Sequence, residues 1–348
     1  MDRIITGWDI GGAHIKAVRV ACGGDAPHVE AGVIRSFDLW KAPDRLADVL
    51  ADVAVEVGTT DTVAVTMTAE LCDCFPSKRV GVAHVITACT TVLSPSDLRV
   101  LDVRGRWLDP ARAMEVPLRV ASANWVATAH LVASRVPHTV FVDVGSTTTD
   151  LIPIEGGEVC ARGLTDPGRL ARGELVYTGA SRTNVSAVVE GVPVRGRWCR
   201  VSAEYFAVTG DVYLVLGDLE AAAYTCEPPD GGERSVEASR RRLARIICAD
   251  TEMLTTDEID GLARFVRHRQ VTTITDGLLQ VLSAMRPWPP VVTVTGTGKF
   301  LAEAAASQIG LPVVDLDTEL VLPPEGAASA VAVAWWLAQS LDASARKP

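Results

Sequence analysis

Two short stretches of this chain combine residue types that handle phosphate. The first reads Asp9-Ile10-Gly11-Gly12 and the second Asp143-Val144-Gly145-Ser146-Thr147-Thr148, with Asp150 just beyond. In both, an aspartate stands near the end of an apolar run, and glycine with small residues follows. Glycine lets the backbone turn tightly and approach a ligand, and turns lined by amide N–H groups suit anionic oxygens. Ser146, Thr147 and Thr148 add hydroxyl donors. Asp9 and Asp143 repel phosphate directly, so the chemistry that uses them is a Mg2+ ion, or its waters, bridging carboxylate and phosphate. Lys16, on the strand returning from the first turn, is a further phosphate contact. One Asp-x-Gly turn is ordinarily just a hairpin; two in matching register are a stronger signal. A third glycine turn, Gly296-Thr297-Gly298, follows the apolar run Val291-Val292-Thr293-Val294-Thr295 and opens a helix at Lys299.

A second group of residues suits proton transfer or recognition. Thr68-Ala69-Glu70-Leu71-Cys72-Asp73 follows the apolar run 62–67, and functional residues gather where sheet strands end. Glu70 and Asp73 are therefore candidates for binding an acceptor or taking its proton. Lys78 and Arg79, just beyond, are candidate diphosphate contacts, and His14 is a candidate ligand contact in the first turn. Arg169, Arg172, Tyr177, Arg182 and Asn184 fall among glycine turns, where they grip an anion or are simply solvated. Cys72, Cys74, His84 and Cys89 have the spacing C-x-C-x9-H-x4-C, which departs from common zinc patterns. Buried thiols and a core histidine are expected instead. Arg240, Arg241, Arg242 and Arg245 spread around one helix and read as a solvated surface.

The elements that must position these groups follow from hydrophobic period. A strand over 4–10, a return strand over 15–20 and a turn at Cys22-Gly23-Gly24-Asp25 read as a hairpin. Leu46, Val49, Leu50, Val53 and Val57 recur at helical spacing over 44–57. Short buried strands are expected over 62–67 and 82–87. Ser122 reads as the N-cap of a helix over 123–135, stopped by Pro137. The pattern then restarts: a strand over 138–144, the polar turn 145–149, and a returning strand over 151–154. Loops, small strands and short helices fill 156–232, and a helix runs from 236 to about 254. Thr256 reads as the cap of the next helix, which ends before Pro287. A strand over 291–295 enters the third glycine turn. A helix over 300–309, a strand near Val313-Val314, the break at Pro323-Pro324 and an alanine-rich helix over 327–339 complete the chain.

Composition excludes several classes. The 348 residues are 48% hydrophobic and 22% charged, with a formal charge of −10, so the chain is neither disordered nor biased toward nucleic acid or anionic membranes. Eight scattered cysteines without a CxxC pair fit a reducing compartment. No apolar stretch reaches 18 residues, and the start lacks the basic n-region of a signal peptide. The expected location is cytoplasmic, with small molecules as partners.

The two phosphate turns, the Gly-Thr-Gly turn and the two small-residue helices, in this order, resemble the actin, Hsp70 and sugar-kinase superfamily. More narrowly, WDIGGAHIK, VTMTAELCDCF with GVAHVI, ASANWVATA, FVDVGSTTTDLIPI and GELVYTGASRTNV are similar to the hydantoinase/oxoprolinase-related group of tetrahydromethanopterin-linked one-carbon metabolism. The resemblance implies an α/β, two-domain actin-like ATPase (ribonuclease H-like) fold with a central cleft. Its first domain would be 1–135 plus 324–348, and its second 136–323 with an irregular insertion near 156–232. It implies methanofuran-type cofactor biosynthesis: an (aminomethyl)furanylmethyl diphosphate condenses with the phenol of a tyramine- or tyrosine-derived acceptor, releasing diphosphate. The other classes it leaves are an ATP-dependent kinase or hydantoinase-like amidohydrolase, and a non-catalytic nucleotide-binding scaffold. Asp9 and Asp143 would hold Mg2+. Gly11, Gly12, Lys16, Gly145, Ser146, Thr147, Thr148, Gly296, Thr297 and Gly298 would bind phosphates, and ATP or ADP is a further candidate ligand. Glu70 or Asp73 would act on the phenol, and His14, Lys78, Tyr177, Arg182 and Asn184 would line the substrate.

Overall fold

A strand buried on both faces reads as an unbroken apolar run, whereas an edge strand alternates. β1 (Arg3–Ile10) is of the first kind, buried from Ile5 to Ile10. β2 (His14–Cys22) pairs with it antiparallel, and β3 (His28–Ser36) lies antiparallel beyond β2 with alternating exposure. On the other side, β4 (Thr62–Met67) and β5 (Asp97–Leu101) add in parallel, and β6 (Trp107–Leu108) closes the sheet antiparallel. The order is β3-β2-β1-β4-β5-β6. The helix Ala328–Ala345 packs on β1 and against the helix Asn124–Arg135. That approach requires glycine at position 7, where a Cβ would stand 2.0 Å from the Ala330 carbonyl oxygen.

The pattern restarts at β7 (Thr139–Val144), followed by β8 (Thr149–Glu155), whose end pairs with β9 (Glu158–Val159). β10 (Leu175–Val176) lies antiparallel to β8, and β11 (Gly191–Val194) and β12 (Arg197–Arg200) form a separate hairpin. β13 (Val291–Thr295) runs parallel to β7, and β14 (Val313–Asp315) is last. The main path, β10-β8-β7-β13-β14, repeats the order of the first sheet with β7 in the place of β1. Both sheets therefore carry an Asp-ended central strand into a glycine turn, the ribonuclease H-like plan expected from the matched turns.

The computed structural model describes residues 3–22, 27–58, 60–93, 97–320 and 326–345. The expected turn residues Gly23, Gly24 and Asp25, and the break at Pro323-Pro324, lie outside them. The chain divides into two compact units: Met1–His138, Ile154–Arg169 and Asp315–Pro348 in the first, Thr139–Pro153 and Leu170–Val314 in the second. Residues 154–169, assigned to the second domain from sequence, thus cluster with the first. Among the described residues, no helix is long and apolar enough to cross a membrane.

Five local expectations are corrected. Residues 82–87 are not a strand; they lie inside the helix Lys78–Leu93, which buries Val82, Val85, Ile86, Cys89 and Leu93. A six-residue window is too short to separate a buried helix from a strand. Ser122 does not cap the helix Asn124–Arg135: Ala123 holds that position with no side-chain bond. The cap of the long helix Thr256–Leu282 is Thr255, whose hydroxyl accepts from the Glu258 amide. Helix 236 onward ends at Arg245, and its Arg242 is fully buried rather than solvated.

Candidate functional site

In the first unit, β1 delivers Asp9 to the glycine turn almost wholly buried. Its Oδ2 accepts hydrogen bonds from Ser329 Oγ at 2.6 Å and from Lys16 Nζ at 3.3 Å. Lys16 reaches it because the two residues are direct partners across β1 and β2. The other oxygen, Oδ1, is buried with no hydrogen-bond partner among the described residues. A buried acceptor left without a donor is costly, and it is an atom that a cation or its water would satisfy. The turn is closed by the Gly11 amide donating to the His14 carbonyl at 2.9 Å. Gly12 has no room for a side chain, since a Cβ would lie 2.6 Å from Cys72 Sγ.

The strand β4 ends at a second cluster of the same unit. Glu70 is completely buried. Its Oε1 accepts from Ser122 Oγ at 2.7 Å and lies 3.7 Å from Lys78 Nζ, while Oε2 has no partner among the described residues. Lys78 Nζ pairs with Asp166 Oδ2 at 2.5 Å, and Ser122 Oγ lies 3.2 Å from that same oxygen. The Lys78–Leu93 helix comes this close because Gly81 has no side chain; a Cβ there would sit 2.4 Å from the Glu70 carbonyl oxygen. Ser122 holds φ of +52°, a left-handed conformation that is strained for a residue with a Cβ. Burial raises the Glu70 pKa, opposed by the Ser122 hydrogen bond and the Lys78 charge; the nearby Asp166 charge raises it further. Beside the cluster, the buried Arg169 stacks its guanidinium 4.5 Å from the Trp125 ring centroid.

In the second unit, β7 carries Asp143 into the turn Gly145–Thr148, where the Gly145 amide donates to the Thr148 carbonyl at 2.9 Å. The turn rests on residues 179–182. Ala180 donates its amide to the Gly145 carbonyl at 2.9 Å, and the Ser181 and Arg182 amides donate to the Ser146 carbonyl at 3.1 and 2.9 Å. Gly179 permits this, since a Cβ there would meet the Thr147 nitrogen at 2.5 Å. Buried Gln270 steadies the platform, donating to Thr178 Oγ1 at 2.9 Å and to the Gly179 carbonyl at 2.8 Å. Tyr213 in turn donates to Gln270 Oε1. β13 places the Gly-Thr-Gly turn alongside: Thr295 is the register partner of Asp143. A Cβ on Gly296 would lie 2.5 Å from Asp143 Oδ1. The Gly298 amide donates to the Val144 carbonyl at 2.9 Å.

The candidates thus assemble into three groups: Asp9, Gly11, Gly12, Lys16 and His14 around the first turn; Glu70 and Lys78 at the end of β4; Asp143, Gly145, Ser146, Thr147 and Thr148 with Gly296, Thr297 and Gly298 in the second unit. Asp73 is exposed on the turn after Glu70, and Tyr177 is also exposed. Asn184 uses its side chain to cap a helical turn, accepting from the Ser186 amide at 3.1 Å, and Arg182 contributes its backbone to the platform. His84 meets the Pro43 carbonyl at 3.0 Å and packs on Phe75. Arg242 is held by Asp211 and Asp230. Sequence reasoning missed Ser329, Ser122, Asp166 and Gln270. Ser329 had a signal, as the one hydroxyl in the apolar stretch 327–334. Ser122 and Asp166 had none, because 44 residues separate them.

The sequence model of the hydantoinase/oxoprolinase family matches residues 61–342. A protein of Methanocaldococcus jannaschii named (4-{4-[2-(gamma-L-glutamylamino)ethyl]phenoxymethyl}furan-2-yl)methanamine synthase is 36% identical over 312 residues, 89% of this chain and 91% of that one. A protein of the same name from Methanococcus vannielii is 32% identical over 170 residues, 49% of this chain and 75% of that one. Among solved structures, nucleotide-free acetone carboxylase superposes with a TM-score of 0.56 at 12% identity, covering 96% of this chain and 70% of that one. That likeness is one of fold.

Proposed function

The chain belongs to the hydantoinase/oxoprolinase family, and we propose that it forms the aryl ether of a methanofuran-type cofactor. The relatives' name describes a phenoxymethyl-furan, that is, an ether between a phenol and a furanylmethyl carbon. The observation that carries the proposal is the 36% identity extending over 91% of the relative's length. The reaction we assign is attack of a tyramine-type phenol on an (aminomethyl)furanylmethyl diphosphate. The C–O bond to diphosphate breaks as the new ether bond forms, and the phenol proton passes to the protein.

Each step has candidate groups in this chain. The amides of each unit's glycine turn, with the Ser146, Thr147 and Thr148 hydroxyls in the second, would bind and orient diphosphate oxygens, stabilising the charge that grows as the leaving group departs. Lys16 adds a positive charge in the first unit. Asp9, with its unpartnered buried Oδ1, fits a Mg2+ ion or its water, and Asp143 is the corresponding carboxylate of the second unit. Such an ion would supply charge neutralisation of the leaving group. Glu70 is the final store for the phenol proton, because its buried carboxylate binds a proton more readily than a solvated one.

Mass spectrometry of products from the furan diphosphate and glutamyltyramine, with and without ATP, tests the reading. An ether product with free diphosphate, formed without ATP, is expected. ATP hydrolysis or a phosphorylated product would identify a kinase or amidohydrolase instead, and nucleotide binding with no turnover would identify a scaffold.

A further inference from the structure

Glu70 has no exposed surface, so a phenol cannot touch it directly. The Asp166 side chain keeps 18% of its surface, and Lys78 holds it in place. Between the two carboxylates stands the Ser122 hydroxyl, 2.7 Å from Glu70 Oε1 and 3.2 Å from Asp166 Oδ2. All belong to the first unit. We propose that Asp166 is the catalytic residue that receives the acceptor's phenol proton, and that Ser122 relays it to Glu70.

The relay balances without any co-reactant. The phenol O–H bond breaks and its proton binds the Asp166 carboxylate. Protonated Asp166 then donates to Ser122 Oγ as the Ser122 O–H proton moves to Glu70 Oε1. Ser122 ends as a hydroxyl, Asp166 as a carboxylate and Glu70 as a carboxylic acid. The resting geometry already points this way, because a single hydroxyl proton favours the shorter of its two contacts, the one to Glu70. The unpartnered Oε2 of Glu70 leaves the carboxylate with spare acceptor capacity. The charged groups facing Glu70 are Lys78, from the helix Lys78–Leu93, and Asp166, which opens the helix Asp166–Leu170. The left-handed backbone of Ser122 is the strain that aims the hydroxyl at both acids. After turnover the proton leaves by the same path, through Asp166 to solvent.

The inference rests on the ether-synthase reading, and two measurements on the full chain separate them. The first needs no substrate. At a pH low enough to protonate Glu70 at rest, the infrared band of its carboxylic acid, identified by its loss in Glu70→Gln, is followed during transfer to D2O. Ser122→Gly and Ser122→Ala should both slow its exchange at least about tenfold. Glycine relieves the left-handed strain and alanine keeps it, so a defect shared by both belongs to the hydroxyl and not to the backbone. Exchange as fast as wild type in both variants would overturn the relay. The second measurement is turnover. Asp166→Asn should lower kcat by about 10²–10⁴-fold, the usual range for a lost proton acceptor, with diphosphate KM little changed. Full turnover in Asp166→Asn beside an inactive Glu70→Gln would mean that Glu70 takes the proton directly, and the proposal would fail. Full turnover in both variants, or no ether from the wild type, would instead remove the ether-synthase base assignment, and the exchange rates alone would then decide the relay.

Discussion

Asp9 and Glu70 are both buried acids, yet their surroundings assign them different work. Asp9 has a lysine and a serine on one oxygen and nothing on the other. Replacing it by Asn removes the charge but keeps the shape. Asp9→Asn should cut turnover by about 10²-fold or more, as loss of transition-state charge stabilisation does, while circular dichroism reports an unchanged fold. Glu70 has its pKa raised, chiefly by burial. Such a group favours folding below its unfolded pKa, and this contribution is lost as pH rises through the folded pKa. Glu70→Gln abolishes that dependence. The melting temperature of the variant relative to wild type should therefore increase from pH 4 to pH 8; a constant difference across the range would show that Glu70 titrates normally. The acid at position 70 was legible as a strand-end carboxylate, but its burial and its Ser122 partner were not.

At the scale of elements, glycines decide how closely backbones approach. Gly81 sets the distance of the Lys78–Leu93 helix from the Glu70 turn, with a virtual Cβ 2.4 Å from the Glu70 carbonyl oxygen. That contact is backbone and cannot swing aside, so Gly81→Ala must move the helix. Overpacking of this kind costs about 1–3 kcal/mol, and the variant should lose both stability in urea and turnover, because Lys78 rides on the displaced helix. The apolar spacing of residues 82–87 fits a strand as well as this helix, because six residues span fewer than two helical turns. In the second unit, Gln270 supports the platform under the Gly145 turn from the middle of a long helix. Gln270→Ala should raise the KM for the furan diphosphate with kcat little changed, read by steady-state kinetics.

For the whole molecule, each unit has its own core. One apolar cluster joins Trp8, Ile10, Val65 and Val85, among others, and a separate one joins Val142, Tyr213, Leu262 and Val294. The second also encloses the Asp211–Arg242 pair, both residues fully buried. Removing one charge of a buried pair costs about 3–5 kcal/mol. In Asp211→Asn, amide hydrogen exchange should accelerate across 170–314 while β1, β2 and β4 keep their protection. Uniform acceleration in both units would show that the chain unfolds as one cooperative body.

The sequence alone determined the repeated plan. Apolar runs ending in Asp and followed by glycine favour a buried strand and a tight turn, and such local signals survive in one dimension. It also carried the alanine-rich helix and the Gly-Thr-Gly turn. Tertiary structure alone decided which polar groups meet. Ser329 reaches Asp9 across 320 residues, and Ser122 reaches Glu70 across 52. Nothing in the residues between encodes those contacts; they exist because β1 is packed by one helix and the end of β4 by others. Burial is likewise a property of packing, so the raised pKa of Glu70 and the enclosure of Arg242 follow from the fold and not from the neighbouring letters.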